Sequence, residues 1–137
     1  MAEAASDDYV LVVEDGAFMR QLLMGLLKQF GYSVVAVADG VAAIEQMVKA
    51  PPRLVLLDLE LPKMDGRDVC RWMRQQKGLK DIPVVACSAH AEKEFVFKAI
   101  RSGVTDYLCK PVERDALKAR IEKYLAPPET DAAPAPS

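Results

Sequence analysis

The chain has 137 residues, 51% hydrophobic and 28% charged, with a net charge of -2, which fits one soluble globular domain burying roughly two-thirds of its unfolded surface. Lys and Arg are spread without forming a basic stripe, so direct binding of nucleic acid or an anionic membrane is not expected. No apolar stretch reaches the roughly 20 residues of a membrane span. The small, acidic segment Met1 to Asp8 lacks the basic flank and apolar centre of a signal peptide and reads as a flexible N-terminus. Three cysteines without paired spacing, Cys70, Cys87 and Cys109, point to a reducing, cytoplasmic compartment, and all three read as small buried hydrophobes.

Tyr9-Val10-Leu11-Val12-Val13 is a continuous apolar run, too short for a buried helix and rich in β-branched residues, which predicts a first strand ending in Glu14-Asp15. Apolar positions 18, 19, 22, 23, 26, 27 and 30 then recur at helical spacing, and Gly31 marks the C-terminal cap of a first helix. Ser33 to Ala38 gives a second strand. Asp39 is a plausible N-cap for a second helix whose inner face is Val41, Ile44, Met47 and Val48. Pro51-Pro52 stops that helix before Leu54-Val55-Leu56-Leu57, a third strand buried on both faces that delivers Asp58. Asp65 caps a third helix with Val69, Cys70 and Met73 facing inward, and Ile82 to Cys87 forms a fourth strand followed by Ser88. A fourth helix covers about Glu92 to Ser102, with Phe95, Val96, Ala99 and Ile100 on one stripe and Gly103 after it. Phe97, two residues from Phe95, cannot share that stripe. Asp106 to Cys109 is a short fifth strand ending in Lys110-Pro111, and a fifth helix from about Glu113 to Leu125 carries Leu117, Ile121 and Leu125. Residues 9–125 therefore form one α/β domain with a doubly wound parallel sheet. Residues 126–137, proline-rich and without apolar periodicity, read as a disordered tail or linker.

Parallel strands point their carboxyl ends one way, so Glu14, Asp15, Asp58, Ser88 and Lys110 should converge on one edge, where open α/β sheets bind ligands. Three carboxylates repel by roughly 4 kcal/mol per pair at about 4 Å and an effective dielectric near 20. Lys110 offsets one charge, and a divalent cation would neutralise the rest. Oxygen-only ligands with room for water and phosphate favour Mg²⁺ and phosphoryl transfer, with Asp58 as nucleophile.

These residues resemble the receiver domain of two-component response regulators, through Glu14-Asp15, Leu57-Asp58, Leu61-Pro62-Lys63-Met64-Asp65-Gly66, Ser88-Ala89 and Lys110-Pro111. The resemblance implies a flavodoxin-like five-stranded sheet of order 2-1-3-4-5 and a signalling switch rather than an enzyme. It implies that Asp58 accepts a phosphoryl group from a histidine kinase or phosphotransfer protein. Mg²⁺ would be held by Asp15, Asp58 and the Glu60 backbone carbonyl, with Glu14 assisting. Lys110 and Ser88 would hold the phosphoryl oxygens, and Lys110-Pro111 would be cis. Ser88 and Tyr107 would then change the surface of the fourth helix, fifth strand and fifth helix, which a downstream protein or linked output domain reads. A phosphorylation-linked homodimer is also compatible. Glu60 and His90 stand at positions that tune phosphate lifetime and partner choice in the family, and Gly16 stands where a polar residue is frequent.

A pseudo-receiver that binds partners constitutively is the alternative, disfavoured because the five site positions are filled. A haloacid-dehalogenase-type hydrolase would need an aspartate where Glu60 stands. Glu14-Asp15-Gly16-Ala17 lacks a dinucleotide-binding fingerprint.

Overall fold

In the computed structural model, which describes residues 8–126, the five apolar runs become β1 (Tyr9–Val13), β2 (Ser33–Val37), β3 (Leu54–Asp58), β4 (Val84–Ser88) and β5 (Asp106–Cys109). They alternate with α1 (Ala17–Gln29), α2 (Gly40–Lys49), α3 (Gly66–Arg74), α4 (Lys93–Arg101) and α5 (Arg114–Tyr124). All neighbouring strands pair parallel, in the expected order β2-β1-β3-β4-β5. The expected N-terminal segment before Asp8 and the expected tail after Ala126 lie outside the described residues.

Strand side chains alternate between faces, which divides the core in two. Leu11, Val13, Val55, Leu57, Val84 and Ala86 pack with Ala43 and Met47 of α2, Val69 and Met73 of α3 and Ala99 of α4. Val10, Val12, Leu54, Leu56, Val85 and Cys87 pack with Leu23 and Leu27 of α1 and Leu117 and Ile121 of α5. The sheet is thus covered on both sides, and β1, β3 and β4 are buried along their whole length. Each fully buried Leu or Met side chain contributes about 1.5–3 kcal/mol of transfer free energy. Asp39 accepts a hydrogen bond from Ala42 N at 2.8 Å and Asp65 from Arg67 N at 2.9 Å, so both expected caps form. Gly31 and Gly103 follow their helices at φ of +98° and +108°, backbone that a side chain would strain.

The helix faces depart from expectation in three places. Phe18 is 80% exposed and Leu22 41%, so the inner stripe of α1 runs through Met19, Leu23 and Leu27 instead. On α2, Val41 and Val48 face solvent while Gly40, Ala43 and Met47 turn inward. The reason is close approach: a Cβ on Gly40 would stand 3.0 Å from both Met64 Cβ and Val69 Cγ2. Small residues fill the interface, and the larger apolar ones are displaced outward. Ile100 of α4 is likewise exposed, beside the expected exposed Phe97. Cys70 and Cys87 are buried, but Cys109 is exposed, because β5 is an edge strand.

At the end of the sheet away from the strand carboxyl termini, Arg74 closes α3. Its Nε and Nη2 donate to Gly103 O at 3.0 and 2.8 Å, and its Nη1 donates to Ile82 O at 2.8 Å and Lys80 O at 3.0 Å. One side chain thereby ties α3 to the chain entering β4 and to the loop entering β5.

Candidate functional site

Glu14, Asp58 and Lys110 share strand parity with Val12, Leu56 and Leu108, so they project on the α1/α5 side of the sheet edge. The ladder continues far enough to hold them there, through Glu14 N to Val37 O at 3.0 Å and Lys110 N to Ser88 O at 2.8 Å. Asp58 is 3% exposed and Glu14 4%. Lys110 Nζ lies 3.2 Å from Asp58 Oδ2 and 3.5 Å from Glu14 Oε1. The other Asp58 oxygen, Oδ1, accepts Glu60 N–H at 3.0 Å, and Glu14 Oε2 accepts Gly16 N–H at 2.9 Å. The Lys110-Pro111 peptide is cis, as expected.

Burial pushes the Asp58 carboxyl up to about 6; the Glu60 backbone bond opposes this, Glu14 adds to it, and Lys110 opposes it. For Lys110, burial acts downward, and the charges of Asp58 and Glu14 outweigh it to hold the ammonium above its usual range. Cys87, the register partner of Asp58, is buried, and its thiol is pushed up to about 12 by burial. It is therefore no competing nucleophile at neutral pH.

Asp15 joins the two buried acids from an exposed position: one oxygen from each of Glu14, Asp15 and Asp58 lies within 4.8 Å of the others. The donor set is entirely oxygen, which suits a hard divalent cation.

Ser88 has the opposite parity, that of Val84 and Ala86, and projects on the α3/α4 side. Its hydroxyl donates to Glu60 Oε2 at 2.5 Å and accepts His90 N–H at 3.0 Å. Glu60 Oε1 also faces Ala89 N–H at 3.4 Å. Tyr107 is half-buried, its phenol held above the usual range by burial, and donates to His90 O at 2.7 Å. The exposed His90 ring stacks on Phe95, with centroids 4.3 Å apart. A cleft of about 330 Å³ opens beside these residues, lined in part by Glu60, Lys63, Arg67 and Phe95. The expected residues therefore lie at one edge, in two groups on opposite sides of it. The Glu60 carboxylate as a partner of Ser88 is an addition. Its only sequence signal is its place two residues after Asp58.

Residues 10–122 match the response regulator receiver domain family. The chain is 33% identical to chemotaxis protein CheY of Bacillus subtilis, over 85% of this chain and 96% of that protein. It is 36% identical to the DNA-binding response regulator MtrA of Mycobacterium tuberculosis, over 85% of this chain and 50% of that protein. The chain thus spans about half the length of several curated relatives. Among solved structures, CheY4 of Vibrio cholerae superposes with a TM-score of 0.82 at 27% identity, covering 85% of this chain and 98% of that one. The receiver domain of sensor histidine kinase PA1611 from Pseudomonas aeruginosa, with a magnesium ion coordinated in its active site cleft, gives 0.80 at 29% identity, covering 85% and 96%. The strand order, the convergent acids and these matches agree: the chain belongs to the response regulator receiver domain family.

Proposed function

We propose that Asp58 is the phosphoacceptor of a two-component signalling switch. The observation that carries this reading is the buried Asp58 carboxylate beside Lys110 at 3.2 Å, within the three-acid cluster at the sheet edge. A carboxylate oxygen of Asp58 attacks the phosphorus of a phosphohistidine on a histidine kinase or phosphotransfer protein. A P–O bond forms, the P–N bond breaks, and its electron pair returns to the imidazole. At neutral pH Asp58, with its pKa near 6, is mostly ionised and competent to attack.

Asp15, Asp58 and the Glu60 carbonyl would hold Mg²⁺, with Glu14 assisting. The ion supplies charge neutralisation on the phosphoryl oxygens. Lys110 balances the acids and pairs with a phosphoryl oxygen, and Ser88 is the donor that reads the new group. Through Ser88 and Tyr107 the modification biases the surface of α4, β5 and α5 toward a protein partner, a linked output domain or a second copy of the chain. The absence of a basic stripe supports output through protein contact rather than direct nucleic-acid binding. A histidine kinase donor places this chemistry in the cytoplasm; among the described residues no helix is long and apolar enough to cross a membrane.

The test is incubation with acetyl phosphate, with and without Mg²⁺, read by intact mass. One phosphoryl group is expected, dependent on Mg²⁺ and abolished by Asp58→Asn. No adduct under conditions that label another receiver would sink the reading in favour of a constitutive interaction module.

A further inference from the structure

We propose that the Glu60 side chain is a built-in competitor for the donors that read the phosphoryl group. Its carboxylate holds the Ser88 hydroxyl and faces the Ala89 N–H, and the switch engages when it lets go. The inference rests on the phosphoacceptor reading of Asp58.

A serine hydroxyl has one proton to give, and that of Ser88 is given to Glu60 Oε2 at 2.5 Å. The distance is at the short end for an O–H donor on a carboxylate, the charge-assisted kind of hydrogen bond. Ser88 is fully buried and its oxygen is also engaged, by His90 N–H at 3.0 Å. It cannot donate to a phosphoryl oxygen while it donates to Glu60. A carboxylate is itself an oxyanion, so Glu60 presents to Ser88 and Ala89 the same chemistry that a phosphoryl group would present.

Two observations make the competitor removable. Glu60 is exposed and lines the cleft of about 330 Å³ that also presents Lys63, so the displaced carboxylate has space and a cation to move toward. Phosphorylation adds roughly one negative charge at Asp58, whose own Oδ1 is bonded to the Glu60 backbone N–H at 3.0 Å. The new charge therefore repels the carboxylate from close by. The release also reaches the aromatic residue on β5, because His90, which donates its N–H to Ser88, accepts the Tyr107 hydroxyl at 2.7 Å.

Beryllofluoride with saturating Mg²⁺, a mimic of the phosphorylated aspartate, is titrated calorimetrically into the wild type, Glu60→Ala, Glu60→Gln, Ser88→Ala and the Glu60→Ala/Ser88→Ala pair. Glu60→Ala is expected to tighten the mimic about tenfold, the size of one charge-assisted hydrogen bond, with Glu60→Gln intermediate. Without Ser88 the same Glu60→Ala change is expected to tighten the mimic by only about twofold to threefold, the part owed to charge repulsion alone, which is how a double-mutant cycle isolates the pair. Unchanged or weaker binding in Glu60→Ala overturns the proposal. So does equal tightening with and without Ser88, which would mean through-space repulsion rather than competition for a donor. Should neither the wild type nor any variant take up beryllofluoride, the phosphoacceptor reading falls together with this one. Uptake by the wild type with no effect of Glu60 removes this one alone.

Discussion

The two sides of the sheet edge solve different problems. On the α1/α5 side, Asp58, Glu14 and Lys110 are charged groups held close by burial, and their arrangement stores electrostatic tension. On the α3/α4 side, Glu60, Ser88, His90 and Tyr107 form a chain of satisfied hydrogen bonds that ends at a half-buried aromatic ring. A strand reverses its side chain at every residue, so consecutive positions near one strand end serve the two tasks. Asp58 and Ser88 stand at the ends of neighbouring strands and project to opposite faces.

Substitutions can break this comparison. The largest effect is expected from Lys110→Ala, which leaves three carboxylates with no cation. The initial rate of phosphoryl uptake from acetyl phosphate, followed by intact mass, should fall about 100-fold, as when one charge-stabilising donor is removed. Equal rates would mean that the charged side is not what binds the group.

The second effect concerns pH. The folded-state pKa of Asp58 is about 6, against an ordinary value of 3.8. Between these values the folded chain binds more protons than the unfolded one, so stability falls as pH rises from about 4 to 6 in the absence of divalent cations. Full ionisation costs of the order of 3 kcal/mol, and Asp58→Asn should recover it. Urea unfolding at pH 4.5 and 7 with EDTA checks both statements. Added Mg²⁺ should restore stability at pH 7, by about 1.4 kcal/mol at ten times its dissociation constant.

A third prediction addresses the backbone between the two sides. A Cβ on Gly66 would stand 2.6 Å from Asp58 O and 2.8 Å from Leu59 Cα, both main-chain atoms. Gly66→Ala should destabilise the domain by about 1–3 kcal/mol, seen in the denaturation midpoint. The smallest effect on uptake should come from Ser88→Ala, because Ser88 faces the other side. Its rate should stay within about tenfold of wild type, well above that of Lys110→Ala. A Ser88 defect as large as that of Lys110 would merge the two sides into one.

The charged side was legible in the sequence because strand ends are easy to find: four apolar runs stop at Glu14, Asp58, Ser88 and Lys110, and parallel topology brings them together. The faces of α3 and α5 followed from simple spacing. Those of α1 and α2 did not, since Phe18, Leu22, Val41 and Val48 have the hydrophobicity of core residues without the position. Gly40 and Ala43 take the inner places because α2 lies close to Met64 and Val69, a distance that exists only between elements far apart in sequence. The Glu60 to Ser88 bond was hidden for the same reason. It depends on the Leu59 N–H bonding to Cys87 O at 3.1 Å, which carries the exit of β3 alongside the end of β4.

Arg74 gives this asymmetry a mechanical meaning. Its guanidinium grips the carbonyls of Lys80, Ile82 and Gly103 at the entrances to β4 and β5. Four hydrogen bonds from one rigid planar group make that end a clamp. The opposite end of β4 carries Ser88, which accepts the His90 N–H, and the His90 carbonyl in turn accepts the Tyr107 hydroxyl of β5. The entrances to β4 and β5 are thus braced together by one side chain, while the far end of β4 is held to its loop through the Ser88 hydroxyl.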